Sequence, residues 1–217
     1  MAIKKAIILL SGGLDSATTL YYAKKKGYKC FCLLFDYGQR HKKELKAAFK
    51  LAKINKCGYT LIKIALPWSK SALTDRRIKV PVKNKHIGSE IPVTYVPARN
   101  TIFLSFAVSY AEALGAKRIF IGANALDYSG YPDCRPKYIK AFEKAANLGT
   151  KSGASGVKVK IETPLISLTK AEIIKLGRKL KVPYGLTWSC YKGGKTPCGV
   201  CDSCLLREKG FKESTEK

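Results

Sequence analysis

The apolar run Ala6-Ile7-Ile8-Leu9-Leu10 leads directly into Ser11-Gly12-Gly13-Leu14-Asp15-Ser16, and that turn into Ala17-Thr18-Thr19-Leu20-Tyr21-Tyr22-Ala23. The pattern predicts a buried strand, a glycine-rich turn and a helix. Paired glycines let the backbone approach an anion closely. Free N–H groups at a helix start, the helix dipole and the hydroxyls of Ser11 and Ser16 then supply donors for phosphate oxygens. The stretch Leu10, Ser11, Gly12, Gly13, Leu14, Asp15, Ser16, Ala17, Thr18, Thr19 and Leu20 is therefore the candidate phosphate cradle. A carboxylate beside bound phosphates is tolerable chiefly when a cation lies between them, so Asp15 points to a Mg²⁺-nucleotide. Ser11, Asp15 and Ser16 are the candidate catalytic groups. The turn lacks the Lys-Ser/Thr ending of a Walker loop, which argues against a γ-phosphate grip of that kind.

Alternation continues downstream. A helix should end near Gly27, a second strand occupy 30–35, a second helix 42–53 and a third strand 60–66. This β-α-β-α-β order implies right-handed crossovers and a parallel sheet with helices on both faces, a Rossmann-like α/β fold. Residues 67–98 are polar and interrupted by Pro81, Pro92 and Pro97; they read as a long loop able to close on a substrate. A helix is expected at 101–114, a strand at 118–122, a helix at 138–146, a flexible connector at 149–156 and a strand at 157–161. Thr169-Lys170-Ala171-Glu172 is a capping box that opens a further helix. Ligands of open parallel sheets bind beyond the strand carboxyl ends, which places residues 36–41 and 122–127 near the glycine turn.

A length of 217 residues allows one well-buried core with a small appendage. We divide it into a nucleotide-binding α/β domain, 1–183, and a C-terminal module, 184–217, packed on the same core. No run approaches the roughly 18 apolar residues of a membrane span, and a cytoplasmic protein is expected. The formal charge of +26 alone would suggest nucleic acid. Yet only eight of the 41 basic residues are arginine, the residue suited to planar phosphate and base recognition, and the lysines are scattered. No stable nucleic-acid partner is expected.

Cys190, Cys198, Cys201 and Cys204 stand at C-x7-C-x2-C-x2-C spacing, with Gly199 permitting a tight turn. Four thiolates satisfy tetrahedral Zn²⁺ and leave no open position, so the site would be structural. An iron–sulfur cluster, or cysteines without metal, are the alternatives. The pocket-loop thiol of Cys134 could be reactive, and His41 is a candidate base for ammonium.

The glycine turn resembles the pyrophosphate loop of the N-type ATP pyrophosphatases. Across nearly the whole chain the sequence further resembles the 7-cyano-7-deazaguanine synthase family. The matching stretches are SGGLDSA, FDYGQRH, VPARNTIFLSFA, GANALDYSGYPDCRPKYIKAF and the tail ETPLISLTKAEIIKLG with YGLTWSCYKGGKTPCGVCDSCLLR. The resemblance implies ATP-dependent conversion of 7-carboxy-7-deazaguanine and ammonia to the nitrile, through adenylated acid and amide, for the tRNA bases queuosine or archaeosine. It further implies ATP, Mg²⁺ and one structural Zn²⁺ per subunit, small-molecule substrates and a homodimer. Arg99 and Arg135 are candidates for the substrate carboxylate or developing phosphate charge, and Asp127 for the guanine-like edge, with Tyr128 or Tyr131 stacking on the ring. Lys170 could reach phosphate or be solvated. An adenylating tRNA-thiolation enzyme and a non-catalytic nucleotide sensor remain as rival readings.

Overall fold

Alternate residues of the first strand face opposite layers: Ala6 and Ile8 pack with one group of helices, Ile7 and Leu9 with another. All but Leu9 are fully buried, as expected for a central parallel strand covered on both faces. In this computed structural model residues 3–83, 91–125 and 131–215 are described. The chain runs β1 (Lys5–Leu9), α1 (Leu14–Lys25), β2 (Lys29–Asp36), α2 (Lys43–Ile54), β3 (Gly58–Lys63), α3 (Arg99–Leu114), β4 (Arg118–Phe120), α4 (Pro136–Leu148), α5 (Lys151–Ala154), β5 (Lys160–Glu162), α6 (Lys170–Lys179) and α7 (Asp202–Glu213). Its five strands are parallel in the order β3-β2-β1-β4-β5. Strand order reverses between β1 and β4, so a crevice opens where their carboxyl ends diverge. Helices α1, α2 and α6 cover one face, and α3 and α4 the other.

Element ends depart from expectation by a few residues, and three segments differ in kind. The expected connector at 149–156 contains α5, because the Thr150 hydroxyl caps it by accepting the Gly153 N–H at 3.2 Å. The loop after β3 is not a free lid over its described first half. Ala72 and Val80 are buried against Cys190, Cys201 and Cys204. Arg40 holds the carbonyls of Ala72, Asp75 and Ile78, and Lys83 N–H donates to Val200 O at 2.8 Å. The third difference is α7, whose apolar periodicity is too weak to announce a helix. Its packing on α6 depends on Gly210, where a Cβ would lie 2.4 Å from Lys170 Cγ. The capping box of α6 forms in full, with Thr169 Oγ1 accepting from Glu172 N–H and the Glu172 carboxylate from Thr169 N–H.

Candidate active site

Gly12 lies at φ +89° and presses against the start of α2, where a Cβ would sit 2.1 Å from Glu44 O and 2.6 Å from Ala48 N. No other residue fits there. The turn is held open by its own serines. Gly12 N–H donates to Ser16 Oγ at 3.1 Å, Gly13 N–H to Ser11 Oγ at 3.2 Å, and the two hydroxyls are 3.0 Å apart. From the far end of the chain, Trp188 N–H donates to Gly12 O at 3.0 Å, tying the cysteine-bearing tail to the turn. β4 passes close by, because Gly122 has no Cβ to meet the Asp15–Ser16 backbone at 3.0 Å.

A cation of the protein itself stands beside Asp15. Lys170, in the first turn of α6, reaches both Asp15 carboxylate oxygens at 2.8 and 2.9 Å with its side chain only 9% exposed. It is neither solvated nor remote from the turn. Gly210 makes room for its stem, so α7 shapes the extended path that Lys170 takes to Asp15.

One cavity of about 230 Å³ joins this turn to a facing wall. Ser11, Gly13, Asp15 and Ser16 of the turn line it, together with Tyr37, Glu44, Arg99, Phe103, Tyr131 and Tyr191 among others. Arg99 opens α3 immediately after Ala98, a non-glycine residue held at φ 50°. Its guanidinium donates to Tyr37 OH at 3.3 Å and lies 5.7 and 6.0 Å from the Tyr37 and Phe103 ring centres. Burial opposes that charge, while Tyr37, Tyr131 and Asp133 hold it in place. Asp133, itself buried, accepts the Asn100 N–H at 3.0 Å and so anchors the 131–134 segment to the start of α3. Burial pushes the Glu44 carboxyl up to about 7, with Arg99 pulling the other way.

The sequence-derived candidates are distributed unevenly over this cavity. Leu10, Ser11, Gly13, Leu14, Asp15, Ser16, Arg99 and Tyr131 line it, and Gly12 supports the turn from behind. Ala17, Thr18, Thr19 and Leu20 do not: one turn further on, α1 is buried, and Thr18 Oγ1 bonds to Leu14 O and Tyr184 OH. Arg135 is exposed at the start of α4, away from the cavity, because Cys134 turns inward just before it. Asp127 and Tyr128 lie outside the described residues. Cys134 lines the cavity, but burial pushes its thiol up to about 12, so it is no ready nucleophile. His41 packs against Gly193 and Trp188 rather than lining the cavity, and burial lowers its basicity. Glu44 and Arg207 were missed. The signal for Glu44 was an acid at the start of a lysine-rich helix; Arg207 had none, since α7 itself was not foreseen.

The sulfurs of Cys190, Cys198, Cys201 and Cys204 lie within 4.8 Å of one another, three of the residues buried. That spacing fits four thiolates about one ion at roughly 2.3 Å each. The centre also organises the facing wall. Ser189 and Tyr191, on either side of its first cysteine, line the cavity, and Arg207, one turn beyond its last, donates to Thr187 Oγ1 at 2.8 Å and Ser189 Oγ at 3.2 Å.

Residues 5–215 match the family profile of the queuosine biosynthesis protein QueC. A protein of Picrophilus torridus named 7-cyano-7-deazaguanine synthase is 60% identical over 212 residues, covering 97% of this chain and 88% of its own length. A protein of the same name from Nostoc sp. is 56% identical over 213 residues, covering 96% and 93%. Among solved structures, NMN synthetase from Francisella tularensis superposes with a TM-score of 0.52 at 14% identity, over 98% of this chain and 86% of that one. The U34-tRNA thiolase NcsA from Methanococcus maripaludis, solved with its [4Fe-4S] cluster, gives 0.51 at 18%, over 98% and 66%. At such identities the likeness speaks for the fold alone. No helix of the described residues is long and apolar enough to cross a membrane.

Proposed function

The chain belongs to the QueC family of queuosine biosynthesis proteins, and from that premise we propose that it converts 7-carboxy-7-deazaguanine, ammonia and ATP to 7-cyano-7-deazaguanine. The observation that carries this reading is a cavity lined by both the glycine turn and Arg99. A carboxylate is a poor electrophile until one oxygen becomes a leaving group. Adenylation achieves that, and the pyrophosphate it releases is matched by the Ser11 and Ser16 hydroxyls and the N–H groups at the start of α1. Lys170 brings positive charge to the same place and orients Asp15, the residue that would hold Mg²⁺. Bound there, Mg²⁺ supplies charge neutralisation for the departing pyrophosphate.

Ammonia attack on the adenylated acid gives the amide. A second adenylation, on the amide oxygen, lets the nitrile form as AMP leaves, so two ATP are consumed and one cavity receives acid and amide in turn. Arg99 holds the substrate carboxylate through a planar fork, and Tyr131 offers a ring face to the deazapurine. The roles of Asp127 and Tyr128 at the guanine-like edge rest on the family resemblance. No covalent protein intermediate is needed, and the raised Cys134 thiol agrees with its absence. Zn²⁺ is the ion we assign to the four cysteines, in a closed structural site. The product serves queuosine or archaeosine formation, and we expect a homodimer in the cytoplasm acting on the free base rather than on tRNA.

The test is to incubate zinc-replete protein with 7-carboxy-7-deazaguanine, ammonium and Mg-ATP, following deazapurine mass and nucleotide products. Amide and then nitrile should appear with AMP and pyrophosphate, and Asp15→Ala should abolish both. ATP turnover that responds to tRNA and ignores the free deazapurine would sink the reading.

A further inference from the structure

A cavity that must hold a pyrophosphate and a carboxylate should repel an acid, yet it contains Glu44. The residue sits in the first turn of α2, its carbonyl oxygen against Gly12 and its Oε1 3.7 Å from the place a Gly13 Cβ would occupy. Among the described residues its carboxylate makes no hydrogen bond or salt bridge. Among the described residues Arg99 of α3 and Tyr37, just after β2, act on its charge, and Asp15, Lys170, Tyr131, Tyr191 and Arg207 line the same cavity. Its lysine neighbours look elsewhere. Lys42 pairs with Asp36, and Lys43 reaches Lys195 O at 2.7 Å while lying over the Trp188 ring.

An unpartnered carboxylate in such a place is built to meet a cation. The cations that the proposed chemistry brings to this cavity are Mg²⁺ and ammonium, and Mg²⁺ is assigned above to Asp15, beside the phosphates. The Arg99 guanidinium and the Tyr37 phenol act on the Glu44 carboxylate, in a cavity that Phe35 and Phe103 also line. A singly charged ion that sheds its charge on the way to reaction suits this surrounding better.

We propose that Glu44 is the ammonium site: its carboxylate binds NH₄⁺ between the glycine turn and Arg99 and takes the proton that frees the nucleophile. The proposal rests on the synthase reading above. One N–H bond of NH₄⁺ breaks and its proton passes to the Glu44 carboxylate. The freed lone pair forms the C–N bond at the activated carboxyl carbon, and the C–O bond to AMP breaks. The second surplus proton leaves the new nitrogen with the departing phosphate or solvent, and Glu44 returns its own to water. A carboxyl titrating near neutrality suits this exchange, since it must both accept and release a proton within each turnover.

The experiment compares two nucleophiles in wild type, Glu44→Gln and Glu44→Asp: ammonium, and hydroxylamine, which is already the free base at neutral pH. In Glu44→Gln, kcat/KM for ammonium should fall about 10²-fold, and for hydroxylamine at least tenfold less. Wild-type kcat/KM for total ammonium should level off above neutral pH, whereas in Glu44→Gln it should keep rising as free ammonia grows. Glu44→Asp should restore part of the ammonium rate, and it carries the test if the glutamine variant does not fold. An equal loss with both nucleophiles, or a loss that extra Mg²⁺ repairs, overturns the proposal while leaving the synthase intact. Absence of deazapurine turnover by the wild type with ammonium defeats both.

Discussion

The two walls of the cavity are built in different ways. The glycine-turn wall is one contiguous segment, residues 10–16, whose donors, the Ser11 and Ser16 hydroxyls and the N–H groups at the start of α1, are fixed by the strand before it and the helix after it. The facing wall is an assembly of side chains brought from α2, α3, the 131–134 segment and the cysteine-bearing tail. Backbone donors in a turn recognise what every nucleotidyl transfer shares, the phosphate chain. Side chains gathered from distant segments are what can distinguish one acceptor and one nucleophile from another. Damage to the first wall should therefore abolish all nucleotide chemistry, and damage to the second should change affinity and choice of substrate.

Gly12→Ala strikes the first wall hardest. A Cβ within van der Waals overlap of Glu44 O and Ala48 N, at φ +89°, must displace either the turn or α2. AMP formation should drop by about 10³-fold, with a stability loss of about 2 kcal/mol in denaturant unfolding. A variant retaining full activity would show that the turn does not hold phosphate in this form.

Removing the metal tests the second wall. Chelation, or Cys201→Ser, should loosen residues 184–211 in hydrogen exchange, since the four sulfurs that an ion would join are drawn from along that tail. Ser189, Tyr191 and Arg207 would lose their places in the cavity, and turnover should fall by about 10²-fold. The Trp188 link to Gly12 O carries part of the damage to the turn, so ATP affinity should weaken as well, by a smaller factor.

The Asp15–Lys170 pair bridges the two modes of construction, one partner in the turn and the other on α6. Lys170→Met should cost about 3 kcal/mol, because it leaves a largely enclosed carboxylate without its cation. Asp15→Asn combined with Lys170→Met should regain much of the stability and none of the activity. Additive losses in this cycle would mean that the two side chains are not coupled.

Glu44 links the walls through pH. Burial raises its folded pKa from 4.5 to about 7, so the native state binds the extra proton and stability falls as pH climbs through that window. Glu44→Gln removes the titration. It should melt higher than wild type at pH 8, by about 2–4 °C, and should show no such advantage at pH 4. An equal gain at both pH values would point to packing instead of charge.

The same division explains what was legible in the sequence. The turn, its strand and its helix announce themselves because glycines, apolar periodicity and the serine pair all lie within one short segment. The cysteine spacing and the Thr169–Glu172 capping box are likewise local. Glu44 and Arg207 belong to the cavity only because α2 abuts Gly12 and α7 packs on α6 through Gly210, and neither contact has a signature along the chain. Thr18 and Thr19 show the opposite case: beside a phosphate motif they resemble ligands, and helical rotation carries them into the core.

The pair of arginines singled out by chemistry alone gives the smallest effect and the sharpest contrast. Arg99 and Arg135 are equally suited to a carboxylate, and their spacing from the motifs does not separate them. Only Arg99 reaches the cavity, held between Tyr37 and Phe103 by the αL residue before α3; Arg135 follows the inward turn of Cys134 and points to solvent. Arg99→Ala should raise KM for the deazapurine about tenfold or more, whereas Arg135→Ala should leave kcat/KM within about twofold of wild type. A large effect at Arg135 would place a substrate or a second subunit on that exposed face, and would extend the second wall beyond the cavity seen in one chain.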